Sequence, residues 1–338
     1  MSEGRGNDGP SKEDVLKALR RCWQPVALVE ELHSGPQRTV LLGEELVVFL
    51  TESGEPKVLE DRCPHRGAAL SLGKVIGEGI QCPYHGWEWS GDGRCLRIPS
   101  LAEQDQIPRQ AQAKAHRTRV QWGLVWTVLD RPLGEPPSVP WFDQREWQWG
   151  HGEPFELPVS LGVMLENFRD VAHFAFVHRA TLGAMPEVIE PLHPDRQGFQ
   201  VTLVREMRSG DGSEQIWDSL RRIRYHAVAP NLIAAEMETD GGRRCLLHAA
   251  RAISATESAH YWLVALSEGF DEYSLSEAIE SERHVYAEDR RVVSSVRPPE
   301  LPLGADANIS TLADSFTLAY RGAFREFVAQ ALAAPGAQ

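Results

Sequence analysis

The sequence predicts an α+β protein in two parts: an all-β front segment, then a back segment in which an antiparallel sheet is flanked by helices. Residues 25–130 alternate apolar and polar side chains in short runs broken by glycine and proline, the pattern of strands joined by hairpins. Residues 199–268 hold longer strand-like runs. They lie between apolar-periodic stretches that read as helices at about 159–178, 275–295 and 311–333. A chain of 338 residues is long enough for two domains.

The opening MSEGRGNDGPSKED reads as a disordered tail leading into a short helix at about 11–22, so residues 1–24 form a tail and helix. In the front segment, PVALVEEL, RTVLLG and ELVVFLTESGEPKVLE give the first strands, with GEPK as a turn. Further short strands follow at 74–98 and 115–128, which sets the first domain at 25–130. The proline-rich RPLGEPPSVP looks like a linker, and the second domain spans 131–338. Its sheet is read from FQVTLVREM, SEQIWDSLRRIRYHAV, NLIAAEMET, RCLLHAARAIS and AHYWLVALSE, and Ser274 with Glu277 marks the cap of the long helix that follows.

Composition narrows the class. Hydrophobic residues make up 42% of the chain, enough for a core without disulfides. No apolar run approaches the roughly 18 residues that span a bilayer, and the first residues lack the apolar stretch of a secretory leader, so a cytoplasmic location and no membrane are expected. A net charge of −13 argues against nucleic acid as the main partner. Most of the acidic excess falls after residue 130, whereas Arg62, Arg66, Lys74, Arg94 and Arg97 sit near the cysteines of the first domain, a face suited to an acidic electron donor. Of the five cysteines only Cys63 and Cys82 sit in a pattern; Cys22, Cys95 and Cys245 read as small buried or half-buried side chains.

That pattern is Cys63-Pro64-His65 followed by Cys82-Pro83-Tyr84-His85. Each loop offers one thiolate and one imidazole. Zinc accepts two Cys and two His, and so does a two-iron cluster in which one iron takes both sulfurs and the other both nitrogens. Zinc sites usually pair like ligands at short spacing, whereas here each loop contributes one of each kind. The full strings CPHRGAAL and CPYHGWEW resemble the two ligand loops of the Rieske [2Fe–2S] family. The resemblance implies that Cys63 and Cys82 bind one iron and His65 and His85 the other. It also implies a cluster potential within about −150 to +300 mV, because neutral imidazoles replace thiolates. Pro64, Pro83, Gly67 and Gly86 would shape the loops so that backbone N–H groups point at sulfur.

A second constellation lies in an otherwise apolar helix, Glu166-Asn167-Phe168-Arg169-Asp170-Val171-Ala172-His173-Phe174-Ala175-Phe176-Val177-His178. Asp170 and His173 share a face. His178 lies about 140° from His173 on an ideal helix, so the helix must end or loosen for both imidazoles to meet one metal. Two His and one carboxylate make the facial triad of non-heme Fe(II) oxygenases. The run N-x2-D-x2-H-x4-H, downstream of Rieske-like loops, is similar to the catalytic domain of the Rieske non-heme iron oxygenases.

That resemblance implies a helix-grip, START-like fold for 131–338 and a mononuclear Fe(II) held by His173, His178 and a later carboxylate. Asp289 is chosen for the third position. Its neighbour Glu288 points about 100° away, and Glu282 and Asp314 are weaker candidates. By the same resemblance Asp170 bridges His173 to His85 of a neighbouring subunit, joining the metals by hydrogen bonds, and Asn167 helps order the site. An arginine-held aspartate, with Arg169 or Arg179 as partner, is the alternative for Asp170.

The resemblance implies a terminal oxygenase component that assembles as a homotrimer. It receives electrons from NAD(P)H through a separate reductase or ferredoxin, since the chain has no G-x-G-x-x-G or P-loop motif. It hydroxylates or demethylates a small, aromatic or natural-product substrate with O2, as in the short branch of vanillate- and dicamba-type demethylases. A cis-dihydroxylating dioxygenase with the same ligands and a Rieske electron carrier with a non-catalytic second domain are the alternatives. Met164, Phe168, Asn231, Met237, His248 and Trp262 are the expected pocket residues.

Overall fold

The computed structural model describes residues 9–206, 219–304 and 308–335. The expected tail before residue 9 and the first part of the SEQIWDSL run lie outside the described residues. The chain divides into two compact units, one of Arg20–Pro136 and one that joins the N-terminal helix to everything from Pro137 onward.

The first unit extends past 25–130 at both ends because its termini are tied together by side chains. Arg20 pairs with Asp130 at 2.9 Å and with Glu44 at 2.6 Å. The Trp23 indole N–H donates to the Gly134 carbonyl at 3.0 Å. The unit is all-β. Strands β1 (Gln24–Leu28), β2 (Gln37–Leu41), β3 (Glu44–Leu50) and β4 (Pro56–Glu60) combine with β9 (Ala115–Gln121) and β10 (Leu124–Val128) in one antiparallel sheet of order β1-β10-β9-β4-β3-β2. A smaller sheet runs in sequence order through β5 (Lys74–Ile76), β6 (Gly79–Gln81), β7 (Glu88–Ser90) and β8 (Cys95–Arg97). The loops that carry Cys63 with His65 and Cys82 with His85 join β4 to β5 and β6 to β7. Cys63 and Cys82 end in an apolar cluster with Val47, Phe49, Leu59, Leu70, Ile80 and Trp89.

In the second unit, helix α1 (Lys12–Leu19) packs on the last helix, α6 (Ser315–Ala333). After a short turn of helix, α2 (Pro140–Asp143), come β11 (Trp147–His151) and β12 (Phe155–Leu157), then α3 (Leu161–Asn167) and α4 (Phe174–Val177). The main sheet adds β13 (Asp195–Gln197), β14 (Gln200–Glu206), β15 (Leu220–Val228), β16 (Leu232–Thr239), β17 (Gly242–Ala252) and β18 (Ser258–Ser267). Its order is β11-β18-β17-β16-β15-β14-β13, all antiparallel, with β12 also on β18. Helix α5 (Leu275–Val293) lies against β18 and β11, α3 against β17, and α6 against β13 and β14. Phe155, Val163, Met164, Leu246, Trp262, Val264 and Tyr286 form the core between the sheet and α3 and α5.

The helix expected at 159–178 is two pieces. Asp170 Oδ1 accepts the Ala172 backbone N–H at 2.8 Å, an Asx turn that competes with the helical ladder and breaks it. The chain restarts at α4 with His173 in its N-cap position and His178 in its C-cap position.

Helix α5 begins where the sequence places it. Ser274 Oγ accepts the Glu277 N–H, and the Glu277 carboxylate accepts the Ser274 N–H at 2.8 Å, a closed capping box that satisfies two otherwise unpaired donors. Ser274→Ala should therefore lower unfolding free energy by about 1 kcal/mol, measured by chemical denaturation of purified protein.

Candidate metal centres

The two loops of the first unit are built alike. In each, the cysteine N–H donates to the carbonyl five residues on (Cys63 to Ala68 and Cys82 to Trp87, both 2.8 Å), and the glycine N–H returns to the cysteine carbonyl (Gly67 to Cys63, 2.8 Å; Gly86 to Cys82, 3.1 Å). Both glycines have positive φ, 78° and 71°, which side-chain-bearing residues rarely adopt. The thiols are buried, while His65 is half-buried and His85 exposed, so the imidazoles occupy the outer side of the group. The two imidazoles lie 4.6 Å apart by ring centroid, and Trp87 stacks on His65 at 4.4 Å. Burial raises the Cys63 thiol; the backbone N–H of His65 opposes this and the adjacent Cys82 thiol adds to it. His65 Nδ1 is a buried ring nitrogen with no hydrogen-bond partner among the described residues. Two adjacent thiols, two imidazoles and an unpartnered ring nitrogen fit a [2Fe–2S] cluster with mixed ligands.

In the second unit the break after Asp170 brings the two histidines together. His173 Nε2 and His178 Nε2 lie 3.1 Å apart, and Asp289 Oδ1, reaching in from α5, is 3.4 Å from the first and 3.2 Å from the second. Among the described residues this is the group of three whose donor atoms fall within 4.8 Å of one another. Three donor atoms turned toward one point repel unless a proton or a metal ion lies between them, and two imidazoles with one carboxylate are a donor set that fits a divalent metal. The same three atoms also favour a proton. Burial lowers His173, but Asp170 and Asp289 outweigh it and bring it to about 9. Burial likewise lowers His178, and Asp289 and Glu288 outweigh it. Burial raises Asp289, but the two imidazoles outweigh it and bring it to about 2.

Glu288, read from its helical position as pointing away, touches the site through His178. Its Oε2 lies 2.9 Å from His178 Nδ1, so adjacent carboxylates on α5 flank the two edges of one ring. Only the adjacency to Asp289 could have signalled this in the sequence. Asp170 Oδ2 is 3.8 Å from His173 Nδ1 and the side chain is 36% exposed. Arg169 is not its partner: fully buried, it donates to the Leu165 and Leu232 carbonyls and lies 3.7 Å over the Tyr320 ring. Glu282 pairs with Arg244, and Asp314 closes the Thr311 cap, so neither supplies the third donor of the triad. The Asn167 amide nitrogen is buried without a partner among the described residues, beside the triad.

The triad opens on a cavity of about 520 Å³. Leu220, Ile223, Ala235, Met237 and Leu246 of the sheet form one wall, with Phe168, Phe174, Leu182 and Val285 opposite. Polar groups gather at one end, where Arg244 pairs with Glu282 and donates to the Tyr273 hydroxyl at 3.3 Å. Of the six pocket residues expected from sequence, Phe168 and Met237 line this cavity. Met164 and Trp262 do not, because they pack inside the core. Asn231 donates to the Ala250 carbonyl at 3.1 Å in the interior, and His248 is buried behind Phe168.

Residues 22–110 match the family model of the Rieske [2Fe–2S] domain, and residues 158–330 match that of the vanillate O-demethylase oxygenase C-terminal domain. Methylxanthine N1-demethylase NdmA of Pseudomonas putida is 30% identical over 326 residues, 93% of this chain and 90% of that one. Methylxanthine N3-demethylase NdmB of the same organism is 26% identical, covering 90% and 88%. The structure of Pseudomonas putida NdmA with caffeine superposes with a TM-score of 0.80 at 27% identity, over 93% of this chain and 96% of that one. No helix among the described residues is long and apolar enough to cross a membrane. The chain therefore works as an oxygenase of hydroxylating or demethylating type, with a [2Fe–2S] cluster, a mononuclear iron and electrons supplied by a reductase or ferredoxin. It belongs to the Rieske non-heme iron oxygenases, as an alpha subunit with a catalytic domain of the vanillate O-demethylase type.

Proposed function

We propose that this oxygenase removes a methyl group from nitrogen or oxygen of a small flat substrate, by hydroxylating the methyl carbon. The observation that carries the reading is the convergence of His173, His178 and Asp289 at an apolar cavity large enough for a compact ring system. The methylxanthine demethylases among its relatives support the class. In this reading Cys63, Cys82, His65 and His85 hold the cluster and the triad holds the iron. Bound there, ferrous iron with open positions supplies dioxygen activation, and the cluster supplies electrons one at a time.

The protein supplies position and polarity. Glu288 accepts the Nδ1–H of His178, which leaves Nε2 as the lone pair facing the metal. The apolar walls hold the substrate ring and exclude water, while the Arg244–Glu282–Tyr273 group, with opposite charges already paired, suits a polar but uncharged edge of the substrate. The exposed side of Asp170 is available to His85 of a second subunit, which would couple the two metals across a cytoplasmic homotrimer. Hydroxylation makes an unstable carbinol, which releases formaldehyde and leaves the demethylated product.

Turnover of an N-methyl or O-methyl aromatic with a reductase partner should yield formaldehyde and demethylated product in equal amounts. His173→Ala should abolish this and leave the visible spectrum of the cluster unchanged; a cis-diol product would instead establish dihydroxylation. Glu288→Gln should weaken Co(II) binding by about 10- to 100-fold in competition titrations, with the cluster intact. Because His173 is raised to about 9, a proton competes with metal below that pH. Apparent Co(II) affinity should therefore climb with pH, by up to about tenfold per unit, and level off above about 9. Asp170→Asn should retain both metals yet slow cluster reoxidation in rapid-mixing single turnovers; an unchanged rate would remove the bridge.

A further inference from the structure

Behind the ligand helix lies a line of buried groups outside the cavity and both metal sites. Tyr286 of α5 is joined to His248 Nδ1 at 2.9 Å, His248 Nε2 to His260 Nδ1 at 2.9 Å, and His260 Nε2 to Ser258 Oγ at 2.8 Å. Ser258 donates to the Val159 carbonyl at 2.7 Å. A carbonyl can only accept, and this fixes the direction of the whole line. Ser258 Oγ receives the His260 Nε2–H, His260 Nδ1 receives the His248 Nε2–H, and His248 Nδ1 receives the phenolic O–H of Tyr286. Both rings must be neutral for this, and burial holds them so, pulling His248 down to about 3 and His260 well below its ordinary value. An isolated line of this kind is costly to bury and carries nothing to the cavity, since it ends on the backbone.

Its other end is placed differently. Tyr286 sits one turn before Asp289 on α5, where side chains three apart are neighbours at about 5–6 Å. Its ring packs against Trp262 at a centroid distance of 5.0 Å. Tyr286 and Trp262 also form part of the wall of a second indentation, of about 360 Å³, beside the exposed Arg283 and Arg290. A phenol hydrogen-bonded to a neutral imidazole gives up an electron readily, because its proton can transfer in the same step and no phenol cation is formed.

We propose that Tyr286 is a redox-active tyrosine that drains an oxidising equivalent left at the iron site when no substrate consumes it. The inference rests on the assignment of Asp289 to the metal. One electron leaves the phenol and reduces the oxidant formed there from dioxygen or peroxide. The O–H bond breaks, its proton bonds to His248 Nδ1, and a phenoxyl radical beside an imidazolium results. A soluble thiol or ascorbate-type reductant at the second indentation returns the electron, directly or through Trp262, and His248 returns the proton.

The test mixes iron-loaded holoenzyme with hydrogen peroxide in the absence of substrate, followed by freeze-quenching and electron paramagnetic resonance. The expected signal is an organic radical whose hyperfine pattern collapses when the protein carries ring-deuterated tyrosine. It should vanish in Tyr286→Phe, fall severalfold in His248→Gln and be absent in His173→Ala. Tyr286→Phe should also inactivate severalfold faster under peroxide while demethylating substrate at the wild-type rate. No tyrosine radical, one that persists in Tyr286→Phe, or one equally strong in His173→Ala would overturn the proposal. Demethylation by the wild-type preparation, assayed in parallel, reports on the oxygenase reading separately.

Discussion

The catalytic unit depends on one hydrogen bond, between the Asp170 carboxylate and the Ala172 backbone N–H. An uninterrupted helix would turn His173 and His178 about 140° apart and leave them no common metal. By offering the backbone a closer acceptor, Asp170 ends one helix and lets a second, of four residues, form with one histidine of the triad capping each end. The same side chain acts on the His173 ring from outside. One residue thus shapes the backbone and the electrostatics of the site it borders.

The surrounding charges follow from that convergence. The triad gathers one carboxylate and two imidazoles in a buried space, and Glu288 and Asp170 add two further acidic groups at its rim. With a divalent cation in place, two neutral imidazoles, one inner carboxylate and the two outer acids leave the centre with about one net negative charge. At the polar end of the cavity Arg244 and Glu282 pair with each other, so neither presents an unpaired charge to the substrate space.

Legibility in the sequence tracked how local each feature is. The Cys63 and Cys82 loops are read directly, since ligands, turn glycines and returning hydrogen bonds all fall within six residues. The Ser274–Glu277 cap is equally local. Asp289 is legible only through the family resemblance, because it lies on a different helix more than a hundred residues from the histidines. Glu288 is illegible for the same reason: helical projection gives its direction, but not the imidazole that meets it there. The pocket was least legible. On β16 Ala235, Met237 and Thr239 share the cavity face by simple alternation. On β17 His248 has the parity of Arg244 and Leu246, yet Tyr286 and Phe168 cover it, and no pattern in β17 itself announces that lid.

Helix α5 carries Glu282 at the polar end of the cavity, Tyr286 in the buried histidine line, Glu288 behind His178 and Asp289 in the triad. These duties share one rigid rod, so a shift that accommodates a bulkier substrate on that side is transmitted at once to the coordination geometry. The strands opposite bear no such burden: Leu220, Ile223, Ala235 and Met237 touch the substrate space without touching a ligand. Divergence toward new substrates therefore has a free wall and a constrained one, and remodelling through β15 and β16 is the route that leaves the metal undisturbed.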